Sequence, residues 1–183
     1  CAGRALIADE PGLGKTAQAV ATAELMRRHV GIDRVLVLCA DAAVPTWERE
    51  WLRFAGGRDA QATRIVGASR LDAAGAAALA AWAPDLVIID EPQRLGAWSA
   101  IASRHALVLC GADDDCDPAL LQSIVQYLDG PRRGAAWSFD PSERPQLEAA
   151  MASLALQRSR DEVRTQLPAR VLNARIVPMA PAQ

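Results

Sequence analysis

Ala8-Asp9-Glu10-Pro11-Gly12-Leu13-Gly14-Lys15-Thr16 is the stretch that decides the fold. Upstream, residues 4–8 form an apolar, strand-like run, and downstream residues 16–30 read as a helix. A strand feeding a glycine loop that opens a helix aims backbone N–H groups and the positive helix end at one point. That arrangement suits the phosphates of a nucleotide. The expected phosphate-binding positions are Gly12, Leu13, Gly14, Lys15, Thr16 and Ala17. The Lys15 ammonium would reach the β- and γ-phosphates, and the Thr16 hydroxyl would take a place on Mg²⁺. One position departs from the general pattern: Asp9 stands six residues before the lysine, where a glycine is usual. A plain glycine turn capping a helix is the bland alternative, and the order strand, loop, helix and Gly-Lys-Thr argues against it.

Leu86-Val87-Ile88-Ile89-Asp90-Glu91 supplies a second element. A continuous Leu/Val/Ile run suits a strand buried on both faces of a parallel sheet. Ligands of such sheets bind beyond the carboxyl ends of the strands, which puts Asp90 and Glu91 on the edge that carries the glycine loop. Asp90 is the candidate holder of the Mg²⁺ water shell, and Glu91 the candidate base that orients and deprotonates an attacking water. Two acids ending a surface strand would be unremarked alone; beside Gly-Lys-Thr they make a site.

The chain has 183 residues, 51% of them apolar, and a net charge of −2. That length fits one domain with a sizeable core. The apolar content and the near balance of charge exclude a disordered tail and a polybasic nucleic-acid arm, though not a local basic face. Cys1, Cys39, Cys110 and Cys116 have no metal-ligand spacing; Cys39 and Cys110 end apolar runs and are expected to pack as small hydrophobes. No apolar stretch is long enough to span a bilayer and no signal peptide is visible, so no membrane partner and a cytoplasmic location are expected. The opening on Cys1, close to the first strand, suggests a segment of something longer.

Strand-like runs recur at residues 4–8, 34–39, 62–66, 86–90 and 106–110, with helix-like segments at 16–30, 44–54 and 71–82 and a short one after Pro92. This alternation predicts an α/β fold with a mostly parallel sheet flanked by helices on both faces. The alanine-rich 71–82 segment reads as a covering helix weakened by Gly75. After the fifth strand, Asp117 is expected to cap a helix opened by Pro118, the neighbouring aspartates being solvated turn residues. Leu120, Leu121, Ile124, Val125 and Leu128 form its core face. Residues 130–145 read as a loop, 146–157 as a further helix and 171–177 as extended. Trp47 and Trp51, four apart, predict aromatic core packing, with base stacking the lesser alternative. His29 and His105 are assigned no catalytic role.

Together these blocks resemble one family, the Swi/Snf-type ATPases, the DNA-translocating branch of superfamily two helicases. Residues 8–18 look like its motif I, in which aspartate replaces the first glycine. Leu36-Val37-Leu38-Cys39-Ala40 with Trp47-Glu48-Arg49-Glu50-Trp51 is similar to motif Ia. Asp90-Glu91-Pro92-Gln93 occupies the place of the Asp-Glu-x-His box, and Leu107-Val108-Leu109-Cys110-Gly111-Ala112 that of motif III. Leu156-Gln157-Arg158-Ser159-Arg160-Asp161-Glu162-Val163 and Leu167-Pro168-Ala169-Arg170 resemble the segment that closes the first lobe. The resemblance implies that residues 1–183 are a single RecA-like phosphate-loop domain, the first lobe of two, with ATP and Mg²⁺ as cofactors, duplex DNA as a partner, and a second RecA-like lobe of the same polypeptide that supplies an arginine finger. Gln93 stands where that box has histidine, a departure, and can still donate a hydrogen bond towards the γ-phosphate or motif III. The motifs of the second lobe and the adenine-reading glutamine segment are not found here. The isolated chain is therefore expected to bind nucleotide weakly and to turn it over very slowly.

The sequence also departs from that family. Motif III has Cys110, Ala112 and Asp113 where threonines and a proline are usual, and motif Ia has Ala40 and Ala42. The usual DNA-contact motif is reduced to Ser69 and Arg70, and Asp113 to Asp115 would repel phosphate. Two readings follow. One is an ATP-hydrolysing lobe of a DNA translocase; the alternative is a nucleotide-sensing interaction module with degenerate DNA contacts. An unrelated phosphate-loop ATPase is a third, disfavoured by the C-terminal match. The pair Arg158 and Arg160 could grip DNA or simply solvate a helix face.

Overall fold

The computed structural model describes residues 3–55, 62–111, 117–133 and 144–166. Six parallel strands form one sheet: β1 (Arg4–Ile7), β2 (Val35–Cys39), β3 (Thr63–Gly67), β4 (Leu86–Asp90), β5 (His105–Leu109) and β6 (Ala155–Leu156), in the order β3-β2-β4-β5-β1-β6. β2 and β5 are buried at every residue, as the continuous Leu/Val/Ile runs require. Side chains alternate between two cores. Ile7, Val35, Val37, Ile88 and Leu109 meet α1 (Lys15–Val30) and α2 (Val44–Ala55) through Val20, Trp47 and Trp51. Leu6, Leu36, Val87, Ile89 and Val108 meet α3 (Ala73–Ala81) and α4 (Pro118–Arg133) through Leu79, Ile124 and Leu128. α5 (Arg144–Leu154) packs its Leu147 and Ala150 against Val125 of α4. Helices cover both faces, so the expected α/β fold is the observed one.

Three local expectations are corrected. The 130–145 loop begins later than the sequence suggests, because α4 runs on through Gly130 and Pro131 to Arg133. Pro131 has no N–H to give the Tyr127 carbonyl four residues back. Arg4 supplies that donor from β1, Nη2 to the Tyr127 oxygen at 2.7 Å, so the helix continues with its orphan satisfied. Second, the 146–157 helix stops at Leu154. Ala155 and Leu156 pair with Leu6 and Ile7 instead, because the free edge of β1 offers them a parallel ladder. Third, Gly75 does not merely weaken α3. A Cβ there would lie 2.0 Å from the Arg70 carbonyl oxygen, and its N–H takes the Asp72 cap at 2.7 Å. Glycine is what allows this helix to start against the preceding turn.

The expected Asp117 cap, cysteine packing and tryptophan packing are observed. Asp117 accepts from the Ala119 N–H at 3.1 Å and caps α4. Cys39 and Cys110 are buried thiols; burial, reinforced by Asp90, pushes the Cys39 thiol up to about 12. Trp47 and Trp51 lie in the core, which removes both as base-stacking surfaces. His29 is exposed in the last turn of α1. His105 starts β5, at the sheet edge opposite the glycine loop. The acidic run 113–115 and the segment 171–177 lie outside the described residues. No described helix is long and apolar enough to cross a membrane.

Candidate nucleotide site

Parallel pairing puts the ends of β1, β4 and β5 on one edge. There the Cys110 N–H donates to the Ile7 carbonyl at 3.0 Å and the Glu91 N–H to the Leu109 carbonyl at 3.0 Å. The loop of residues 8–14 leaves β1 at this edge and turns into α1. Gly12 and Gly14 both adopt left-handed backbone, φ 90° and 76°, which side chains resist. Gly14 is the cap of α1; it makes no side-chain cap hydrogen bond, and no acid sits in the first turn. The opening amides of that helix have no intrahelical acceptor, and a Cβ on Gly14 would stand in open space. The Leu13 N–H is turned back onto the Glu10 carbonyl at 3.3 Å, and Thr16 and Ala17 lie in the first turn of α1.

Lys15 folds over its own loop, Nζ donating to the Asp9 carbonyl at 2.7 Å. The Asp9 side chain is wholly buried. Its Oδ1 accepts from Arg158 Nε at 3.1 Å, and its Oδ2 from Arg158 Nη2 at 2.5 Å and from Gln18 Nε2 at 3.0 Å. Burial alone would raise this carboxyl; the hydrogen bonds from Arg158 and Gln18 and the guanidinium charge outweigh it and hold Asp9 below its ordinary value. Position 9 is therefore an ionic anchor for the loop. Arg158 and Arg160 do not face outward as a free basic pair: Arg160 donates Nε to the Pro11 carbonyl at 3.0 Å.

Asp90 ends β4 half-buried, and Trp47 Nε1 donates to its Oδ2 at 2.8 Å. Burial raises the Asp90 carboxyl, the Trp47 hydrogen bond opposes that, the Glu91 charge adds to it, and Lys15 and Arg94 lower it. Lys15 and Asp90 thus share one electrostatic neighbourhood. Glu91 has left-handed backbone, φ 53°, a conformation uncommon for non-glycine residues and recurrent at active sites, though Ala83 shares it at φ 52°. Its carboxylate pairs with Arg94 Nε at 2.9 Å. Gln93 is exposed in the adjoining 3-10 turn, Pro92–Arg94.

Hence the structure brings Lys15, Thr16, Asp90 and Glu91 to one sheet edge. Sequence reasoning missed Arg158, Gln18 and Trp47 as partners of the site. One signal was present: an acid in the glycine's place, once buried, demands a cation. On the side where DNA contacts were expected, Asp41 occupies the turn leading into α2. It accepts the Ser69 hydroxyl at 2.7 Å.

Comparison with solved structures bears on the fold. The Sulfolobus solfataricus SWI2/SNF2 ATPase core domain superposes with a TM-score of 0.70 at 18% identity, covering 91% of this chain and 42% of that one. The chain has the fold of one part of the SWI2/SNF2 ATPase core. The same archaeal SWI2/SNF2 ATPase core in complex with dsDNA matches with a TM-score of 0.64 at 20% identity, covering 85% of this chain and 40% of that one. The chain therefore spans about two fifths of the length of those SWI2/SNF2 cores. No family model and no curated protein matches it.

Proposed function

We propose that residues 1–183 form the first RecA-like lobe of a Swi/Snf-like, DNA-dependent ATPase, and that this lobe binds and hydrolyses ATP with Mg²⁺. One observation carries the proposal: the glycine loop with Lys15 and the Asp90–Glu91 pair emerge on the same edge of a parallel sheet. The residues present fit the nucleotide. The start of α1 is bare of side-chain caps and acids, and Lys15 can exchange one carbonyl for phosphate oxygens.

They fit a magnesium ion too, as hard oxygen donors. Among the described residues no cluster of three or more His, Cys, Asp or Glu could hold a metal alone. The ion would be held by Asp90, Thr16 and substrate phosphates rather than by a protein cage. When bound, Mg²⁺ neutralises charge on the transferred phosphoryl group. Trp47 keeps one Asp90 oxygen fixed, leaving the other for the ion's water shell. Glu91 orients and deprotonates the attacking water, and Gln93 contributes a hydrogen bond near the γ-phosphate. An arginine from the second lobe completes the charge stabilisation.

Duplex DNA enters the proposal because the archaeal core of the same fold was solved on dsDNA. The rival reading, a nucleotide-sensing interaction module, draws support from Asp41 and Ser69, whose carboxylate and spent hydroxyl are poor phosphate contacts. ATP turnover by the protein extended through its second lobe, with and without duplex DNA, separates the two. Stimulation by duplex supports the motor; turnover indifferent to DNA supports the sensing module.

A further inference from the structure

The segment after α5 continues alongside the phosphate loop beyond the end of β6. The Ala8 N–H donates to the Leu156 carbonyl at 2.8 Å, and the Glu10 N–H to the Arg158 carbonyl at 3.1 Å. The Arg160 N–H returns a bond to the Glu10 carboxylate at 3.0 Å. From within this strap Arg158 reaches Asp9 with two nitrogens, and its Nη2 also meets Gln18 Oε1 at 2.5 Å. Asp9 is thus held twice, by its side chain to the strap and by its carbonyl to the Lys15 ammonium. Gln18 extends the grip, donating both to Asp9 and to the Leu13 carbonyl at 3.0 Å.

We propose that Arg158 is a positioning residue for the phosphate loop, so that seating of the 155–160 strap and binding of a nucleotide's phosphates form one coupled equilibrium. The inference rests on the nucleotide reading above. A buried carboxylate stripped of its cation is costly. If the strap lifts, Asp9 must rehydrate, which moves the loop, or recruit Lys15, whose ammonium already lies on its carbonyl. Either response withdraws Lys15 from phosphate. Coupling is reciprocal, so phosphates that draw Lys15 and the loop into place must hold the strap down. A lysine at 158 would supply charge but not the fork that spans both Asp9 oxygens and Gln18.

The test has two arms. A fluorescent ATP analogue is titrated with Mg²⁺ into the wild-type protein, Arg158→Ala and Arg158→Lys. The expected result is about tenfold weaker binding for Arg158→Ala, within the usual range of coupled sites, with partial recovery in Arg158→Lys. Hydrogen exchange of residues 155–160 in the wild-type protein should slow when a non-hydrolysable ATP analogue and Mg²⁺ are added. This arm needs no variant and decides the matter if Arg158→Ala fails to fold. A residue that merely stabilises the fold would lower the melting temperature while leaving strap exchange indifferent to nucleotide, and that outcome overturns the proposal. Wild-type protein that binds no nucleotide at all overturns the nucleotide reading itself, a result distinct from binding without coupling.

Discussion

Trp47 on α2 donates its indole N–H to Asp90 at the end of β4, 2.8 Å away and 43 residues along the chain. The ring is 1% exposed, so the donor sits at a fixed place and fixes the carboxylate in turn. A helix on the outer face of the sheet is thereby tied to the acid proposed to hold Mg²⁺.

Trp47→Phe keeps most of the aromatic bulk and removes the donor. The Mg²⁺ concentration needed for half-maximal nucleotide binding should rise about tenfold, as when a group that orients a metal ligand is lost. A Mg²⁺ titration against a fluorescent nucleotide measures it, and an unchanged midpoint would confine Trp47 to packing.

Glu91→Gln should leave nucleotide affinity within about twofold and lower turnover of the two-lobe protein by at least about 100-fold, the usual contribution of a general base. Parallel binding and single-turnover measurements check this. Retained turnover would remove Glu91 as the base.

Acid stability should report on Asp9. Its folded carboxyl is held below the ordinary value of 3.8, so the stabilisation is fully present above that value. It is lost as pH falls below 3.8 towards the lower folded value. Breaking the pair by Arg158→Ala should cost about 2–3 kcal/mol, less than the ~3–5 kcal/mol of a fully buried pair because the guanidinium keeps contact with water. Thermal melts from pH 3 to pH 7 would show it, and the acid limb should shrink in Asp9→Asn.

Gly75→Ala sets two effects against each other. Helix propensity favours alanine by about 1 kcal/mol, yet the new Cβ would meet the Arg70 carbonyl at 2.0 Å. Overpacking against backbone costs about 1–3 kcal/mol, so the expected outcome is net destabilisation in a urea melt. A more stable variant would show that the turn before α3 can move aside.

Most of the fold was legible, and for a physical reason. Strands buried on both faces must be apolar throughout, so β2, β4 and β5 stand out as runs, and Gly12 and Gly14 mark the turn into α1. What escaped depends on contacts made after folding. Ala155 and Leu156 have no strand signature of their own and are strand only because β1 has a free edge. The helix through Pro131 survives because Arg4 reaches the orphaned Tyr127 carbonyl from a residue 123 positions away. In the site, Lys15, Thr16, Asp90 and Glu91 were legible because their spacing within each motif is local. Arg158 and Trp47 were not recognised as their partners, since Arg158 meets Asp9 across 149 residues and Trp47 reads as core, which it also is.

The most direct measurement is Mg²⁺-dependent binding of a fluorescent ATP analogue to this chain and to its Lys15→Ala variant. The account predicts saturable, Mg²⁺-dependent binding by the wild-type chain that weakens about tenfold or more without the ammonium, in keeping with the loss of a charged hydrogen bond to phosphate. Absence of binding, or identical binding by Lys15→Ala, would contradict the claim that the loop after β1 is a phosphate site.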